Sequence, residues 1–139
     1  MSAVILKGPA GIGPAASGIA LVADDNFSAR YDLDRIKGVF SRPAHKLCGE
    51  NYVGKMLVLN IAKGGVATAW MLHEMASRKM APAALLLNYA NPIIAQGAAF
   101  AAFPLIDRFE SDITQAIQTG DHVHVDPASG QVTIEKAAG

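Results

Sequence analysis

This chain of 139 residues has few aromatic side chains, a single cysteine and no net charge. Its single cysteine, Cys48, excludes an intramolecular disulfide, and one thiolate cannot hold a zinc ion or an iron–sulfur cluster alone. Twelve basic side chains balance twelve acidic ones without any basic block, so the electrostatic footprint of nucleic-acid binding is missing. A free thiol and the absence of a signal-peptide pattern predict a cytoplasmic protein.

The chain also lacks an uninterrupted hydrophobic run of membrane length. Its most apolar region, residues 80–106, is broken by prolines and asparagines, so it is interpreted as strand, loop and helix rather than as a membrane span. Hydrophobic residues make up 51% of the chain and charged residues 17%, which is enough apolar material for a globular core. The length predicts one domain over residues 1–139.

Apolar runs in the middle of the chain predict a parallel sheet. Residues 56–62 and 83–88 are apolar almost throughout, which is typical of strands covered on both faces, and 104–106 is a third, short candidate. Helices predicted at 66–79 and 92–103 connect them. The middle is therefore predicted as strand–helix–strand–helix–strand with right-handed crossovers.

The two ends of the chain are predicted to be β-rich and antiparallel. Strands are expected at 3–8 and 18–25, and a hairpin over 121–136 is turned by the residues "PASG". A helix is expected over 110–120. These patterns together predict an α/β domain in compact layers that carries two kinds of sheet.

The stretch "KGGVAT" lies where a parallel strand ends and a helix begins. In such sheets ligands gather at the carboxyl ends of strands, and the first N–H groups of a helix lack partners within it. Glycines let a ligand approach the backbone, and a lysine adds charge. The predicted site for a carboxylate or phosphate comprises Lys63, Gly64, Gly65, Val66 and Ala67. A simple bend between strand and helix is the alternative.

Three other polar residues are candidates for substrate binding. Asn88 and Asn91 end a buried strand at the same sheet edge, where they are expected either to bind ligand or to cap a helix. His45 lies in a polar loop, where it is expected either to contact substrate or to be a solvated loop histidine.

The glycine-rich segment 8–18 is predicted as a surface loop, either flexible or closing on a ligand.

Several residues whose types suggest chemistry are predicted to lie at the surface. They are His73 and Glu74 on a helix, His122 and His124 on one strand, and Asp24 and Asp25 in a turn. Ser77 stands where the metal-binding H-E-x-x-H pattern would need its second histidine. Trp70 is predicted to lie in the core, with a contact to a partner subunit as the alternative.

The order and spacing of several segments resemble a known family. In chain order they are "SGIALV", His45 and Gly49 ahead of "GKMLVL", the glycine turn with its helix, "APAALLL", "NPIIAQGA" and "TGDHVHVD". Most of the chain is similar to the small subunit of the aconitase X family, a swivelling domain related to the mobile domain of aconitase and of isopropylmalate dehydratase. The resemblance implies a three-layer β/β/α fold with a parallel central sheet and a second antiparallel sheet.

The resemblance also implies a partner and a reaction. In the family a large catalytic subunit carries the cysteines that hold an iron or iron–sulfur centre, so no cofactor is expected on this chain. The small domain closes over the site, and together they dehydrate small hydroxy acids, among them a hydroxyproline and a phosphorylated mevalonate. The metal acts as a Lewis acid for the departing hydroxyl of the substrate. The small domain, which is the lid, supplies a base and hydrogen-bond donors for the substrate carboxylate.

This sequence departs from the family at the turn after the central strand. In the family, this turn resembles a Gly followed by a run of serines, and a serine there is taken as the catalytic base. Here Gly65 occupies the first serine position, and the one hydroxyl in the turn is on Thr68, about one helical turn further on. The base is therefore Thr68, or comes from the partner, or is missing. If it is missing, the chain is a non-catalytic swivel-fold protein with a ligand-binding or regulatory role.

Overall fold

The computed structural model describes residues 3–27, 32–34, 36–61, 66–90, 92–101, 103–109 and 111–136. The strands in these ranges are β1 (Ala3–Lys7), β2 (Ala16–Val22), β3 (Leu33–Asp34), β4 (Val39–Phe40), β5 (Met56–Ile61), β6 (Ala84–Tyr89), β7 (Leu105–Ile106), β8 (His122–Asp126) and β9 (Gln131–Glu135). The helices are α1 (Val66–Ser77), α2 (Pro92–Ala101) and α3 (Ile113–Ala116). The predicted strand–helix–strand–helix–strand unit and the C-terminal hairpin are confirmed.

One strand, β2, joins a parallel half-sheet to an antiparallel one. Seven strands follow the order β1-β9-β8-β2-β5-β6-β7. The first part of β2 pairs antiparallel with β8, with Ala16 opposite Val125, while its last part pairs parallel with β5, with Val22 opposite Val58. The two predicted kinds of sheet are therefore present, and they share a strand. The short strands β3 and β4 form a separate antiparallel pair.

Alternation along the central strands separates the interior into two cores. In β5, Leu57 and Leu59 pack with α1 and α2, whereas Met56 and Val58 pack against the inward residues of β8 and β9. All four are fully buried, which explains why no polar residue interrupts the run. Each buried leucine of this kind stabilises the fold by roughly 1.5–3 kcal/mol. The layers are helices, parallel half-sheet and antiparallel half-sheet, as the predicted three-layer fold requires.

The prediction that Trp70 lies in the core is wrong. Its side chain is 69% exposed, although it stands in the middle of an apolar stretch of α1. Met71 and Met75 supply the face of α1 that packs on the sheet, and Met75 is fully buried. Because five helical positions turn the side chain by about 140° from Met75, Trp70 is directed away from that face.

The helix predicted over 110–120 is much shorter in the structure. α3 spans Ile113–Ala116, and Asp112 caps it by accepting the N–H of Thr114 at 2.9 Å. At Ile117 the backbone is already extended, with φ −114° and ψ 140°. The physical reason is burial: Ile113 and Ile117 both reach the core between the two half-sheets, and the chain then leaves the helix to enter β8.

The glycine-rich segment ahead of β2 is a loop, as predicted, and its backbone is bonded to the rest of the fold. The N–H groups of Gly8 and Gly11 donate to the carbonyls of Gly130 and Pro127 at 2.8 and 2.7 Å. Ile12 forms a bridge with Leu105, which covers the edge of β7. The loop is thus attached to the hairpin turn and to β7.

Candidate functional site

The carboxyl ends of the four parallel strands lie at one edge of the sheet. β2, β5, β6 and β7 are neighbours that run in the same direction, and they end at Val22, Ile61, Tyr89 and Ile106. In sheets of this kind ligands bind outside the carboxyl ends. This edge, called here the carboxyl edge, is the candidate site.

The helix α1 begins at the carboxyl edge directly after the predicted anion-binding turn. Lys63, Gly64 and Gly65 lie outside the described residues, and so does Asn91. Val66, Ala67 and Thr68 form the first turn of α1, as predicted. The backbone N–H groups of that turn have no partners within the helix, and the helix dipole adds partial positive charge, so the end of α1 suits an anion.

Asn88, near the end of β6, ties three elements together. Its Nδ2 donates to Oδ1 of Asn60 at 3.0 Å and to Oδ1 of Asp112 at 2.8 Å. Its Oδ1 accepts the backbone N–H of Ile113 at 2.8 Å, the first N–H of α3. The observed role is therefore the predicted alternative, helix capping, although the helix capped is α3. A substrate contact of Asn88 stays a prediction.

Hydrogen bonds lower the pKa of the Asp112 carboxyl from its ordinary value. Hydrogen bonds from the hydroxyl of Thr114 at 2.6 Å and from the amide of Asn88 hold the pKa of its carboxyl below 3.8, although burial opposes them. Its negative charge lies at the N-terminus of α3, where the N–H groups of the first turn favour it. The network of Asn60, Asn88 and Asp112 is thus polar, charged and hydrogen-bonded at the carboxyl edge.

Asn60 and Asp112 carry sequence signals that the predictions missed. In both "MLVLN" of β5 and "ALLLN" of β6, an asparagine follows four apolar residues. The register places Leu59 beside Leu87. The two asparagines that follow are therefore neighbours. Asp112 with Gln115 matches the spacing of a capping box, Asp-x-x-Gln. Both patterns were readable in the sequence.

Asp107 and Arg108 leave β7 at the carboxyl edge and were also not predicted as site residues. The Asp107 carboxylate accepts the N–H of Ala90, the residue after β6, at 2.9 Å. The backbone N–H of Arg108 donates to the carbonyl of Asn88 at 3.0 Å. The guanidinium of Arg108 is exposed and places a positive charge at the carboxyl edge.

His45 is inside the fold, so its interpretation as a solvated loop histidine is wrong. It is 4% exposed and stacks on Phe40 with ring centroids 4.6 Å apart. Nδ1 accepts the N–H of Leu47 at 3.0 Å, which leaves Nε2 to donate to the carbonyl of Asn26 at 2.8 Å. The observed role of His45 is to hold the segment after β2, and its contact with substrate stays a prediction.

Asp25 forms the predicted turn at the end of β2. Burial acts to raise the pKa of its carboxyl, but the backbone N–H groups of Asn26 and Lys46, with the positive charge of Lys46, outweigh it and lower the pKa from its ordinary value. The carbonyl of Asp25 accepts the N–H of Asn60 at 2.8 Å. This turn is thereby fixed beside the end of β5.

The other predicted surface residues are exposed. His122 and His124 face solvent from β8, and His73 and Glu74 do so from α1. Within the described ranges, no three histidine, cysteine, aspartate or glutamate side chains are grouped as metal ligands would be. Of the helices in the described part of the chain, none has both the length and the apolar character needed to cross a bilayer.

Comparison with known proteins identifies relatives that match nearly the whole chain. The family model for the aconitase X swivel domain matches residues 5–134. The phosphomevalonate dehydratase small subunit of Methanocella arvoryzae is 32% identical over 129 residues, which are 93% of this chain and 98% of the relative. That of Methanopyrus kandleri is 35% identical over 82% of this chain and 84% of the relative.

The fold also matches a solved structure. The crystal structure of Thermococcus kodakaraensis aconitase X in its holo-form superposes with a TM-score of 0.88 and 27% identity. The match covers 96% of this chain and 99% of the chain in that structure.

Proposed function

Because this chain belongs to the aconitase X swivel domain family, we propose that it is the small subunit of a hydro-lyase that dehydrates phosphomevalonate. The observation that carries the proposal is the match, along 93% of this chain, to a relative named as the small subunit of that enzyme. In this proposal residues 1–139 form a single swivel-type domain that acts in the cytoplasm and needs a large catalytic subunit.

The reaction sets what such a subunit must do. A proton leaves the carbon beside the carboxylate, a hydroxyl leaves the next carbon, and the products are an alkene and water. The substrate carries two anionic groups, a carboxylate and a phosphate. The lid must therefore hold anions at fixed positions and present a proton acceptor to the carbon.

The carboxyl edge can perform the binding part of this task. The substrate carboxylate is proposed to bind the N–H groups at the start of α1, with Lys63, Gly64 and Gly65 beside it, while the Thr68 hydroxyl is the proposed proton acceptor. Asn88, Asn91 and His45 are proposed to bind substrate, and His45 also holds Asn26 beside the end of β5. Thr68 belongs to the first turn of α1, which supports this arrangement.

The metal centre is proposed to lie in the large subunit. This chain has one cysteine, and its described residues gather no set of metal ligands, so they do not fit an iron or iron–sulfur centre. A metal held by the partner would supply a Lewis acid for the departing hydroxyl. The contribution of this chain is then to bind and orient the substrate and to exclude water as the domain closes.

Co-purification followed by an assay tests the proposal. The tagged chain is expressed with candidate large subunits encoded beside it, and the purified material is examined for a larger protein in equal amount with iron absorbance. The complex is then given phosphomevalonate, and formation of an alkene is followed by proton NMR. A chain that purifies alone, or a complex that leaves phosphomevalonate unchanged, contradicts the proposal.

A second candidate function follows from the turn "KGGVATA", which contains no serine. On this alternative the chain is a non-catalytic swivel-fold protein that binds a ligand or regulates a partner. The anion site at the start of α1 would persist, because it depends on backbone N–H groups. The assay separates the two candidates, since the alternative predicts binding of substrate without alkene formation.

A further inference from the structure

The backbone at Arg108 has a conformation that an arginine rarely adopts. Its φ is +58°, in the left-handed region that glycine occupies without strain. The segment is held there by two bonds, from the N–H of Arg108 to the carbonyl of Asn88 and from the N–H of Ala90 to the Asp107 carboxylate. Neither bond uses the Arg108 side chain, so a glycine would serve the fold equally well.

Among the described residues, Lys79 is the other non-glycine residue with a positive φ, also +58°. It follows α1, and its N–H donates to the carbonyl of Ala76 at 3.2 Å, while Met80 donates to Met75 at 2.9 Å. Helices commonly end in this left-handed geometry. Lys79 is therefore explained by the end of a helix, whereas Arg108 follows the short strand β7.

Packing and pairing do not account for an arginine at this position either. The side chain is 66% exposed, and among the described residues its guanidinium makes one hydrogen bond, from Nε to Oδ1 of Asp107 at 3.4 Å. An exposed pair of this kind contributes little to stability. Because Asp107 is also bonded to the N–H of Ala90, this pair keeps the guanidinium at the carboxyl edge, beside the end of β6.

Arg108 has the exposure and the free donors of an anion-binding residue. Among the described residues its guanidinium uses only Nε in a hydrogen bond, so at this exposed position its other donors can bind a phosphate through two parallel hydrogen bonds. We infer that Arg108 is an anion-binding subsite at the carboxyl edge, separate from the start of α1. The identity of its ligand rests on the proposed function: it is the phosphate of phosphomevalonate.

The strand order brings both sites to one edge of the sheet, within reach of one ligand with two anionic groups. β6 lies between β5 and β7, so the ends of β5 and β7 are about 10 Å apart. The arginine side chain reaches across part of that distance. A short carbon chain with a carboxylate at one end and a phosphate at the other can therefore contact both α1 and Arg108.

Steady-state kinetics of the complex with its large subunit test the subsite. Arg108→Gly should raise KM for phosphomevalonate about 10- to 100-fold, the loss expected for a charge-assisted contact. Its Tm should be unchanged or higher by up to about 3 °C, because glycine relieves the left-handed strain. Lys79→Gly, the matched control, removes a cation with the same backbone conformation and should leave KM unchanged. A folded Arg108→Gly complex with wild-type KM overturns the inference.

A titration separates the subsite from the proposed reaction. Inorganic phosphate is added to the full chain while the Nε–H resonance of Arg108 is followed by NMR, and a saturable shift is expected. If phosphate shifts this resonance but the wild-type complex leaves phosphomevalonate unchanged, the proposed function fails and the subsite stands. If phosphate does not shift it, the subsite fails whatever the enzyme converts.

Discussion

Asn88 and Asn60 each lie one residue before the end of neighbouring parallel strands, and their side-chain amides are hydrogen-bonded at 3.0 Å. Through Asp112 and the N–H of Ile113, the same Asn88 side chain holds α3 at the carboxyl edge. Its backbone carbonyl holds Arg108. One residue therefore organises most of what the described part of the chain presents at this edge.

Replacing Asn88 by alanine should destabilise the chain more than replacing Asn60. Asn88→Ala removes three hydrogen bonds of a half-buried group, so the free energy of unfolding should fall by about 2–3 kcal/mol. Asn60→Ala removes one of these and should cost about 1 kcal/mol. Urea denaturation of the purified chain measures both. Equal losses would mean that the amide pair matters and that capping of α3 does not.

The pKa of Asp112 should make stability fall in acid. Because its pKa in the folded state lies below 3.8, its contribution is complete above about pH 5 and is lost as pH falls through the folded pKa. Urea midpoints measured between about pH 2.5 and pH 6 should therefore decline in acid less steeply for Asp112→Asn than for the wild type. Asn88→Ala, which removes one donor to Asp112, should give an intermediate slope. Parallel curves for all three proteins would contradict this assignment.

His45 should matter for stability before it matters for substrate. His45→Phe keeps a ring to stack on Phe40 but leaves the carbonyl of Asn26 and the N–H of Leu47 without their partner. The free energy of unfolding should fall by about 2–3 kcal/mol. The measurement is urea denaturation, with KM for phosphomevalonate in the complex as the second readout. A wild-type stability with a raised KM would instead assign His45 to substrate binding.

Thr68 is tested by removing its hydroxyl without changing its shape. If the hydroxyl accepts the proton, Thr68→Val should lower kcat of the complex about 100-fold or more, while Thr68→Ser keeps most of the activity. Circular dichroism should be the same for both variants, and steady-state kinetics measures the difference. Wild-type kcat in Thr68→Val would mean that the partner supplies the base.

The central strands could be predicted because short apolar runs in the sequence indicate their burial. The first four residues of β5 and of β6 are apolar and buried on both faces, and that pattern belongs to strands between two layers. The hairpin of β8 and β9 was equally clear, since inward valines and isoleucine alternate with exposed or half-buried residues. Such local signals also led to the prediction of the first turn of α1 at the sheet edge.

Features that depend on distant pairing could not be predicted in the same way. The composition of α1 does not reveal which of its apolar residues faces solvent, so Trp70 was assigned to the core. The early end of α3 depends on the packing of Ile117 in the core between the two half-sheets. The left-handed backbone conformation of Arg108 is held by its bond to the carbonyl of Asn88, and no spacing in the sequence predicts it.

The double pairing of β2 has a consequence for how the chain folds. Val22 at its end is bonded to Thr119, which is 97 positions further along the chain. β1 and the first part of β2 thus find their partners, β9 and β8, in the last part of the sequence, and such high contact order slows folding. During synthesis these early strands emerge with unpaired edges while the central unit is already able to form. Chaperone binding or aggregation can compete in that interval, until β8 and β9 arrive.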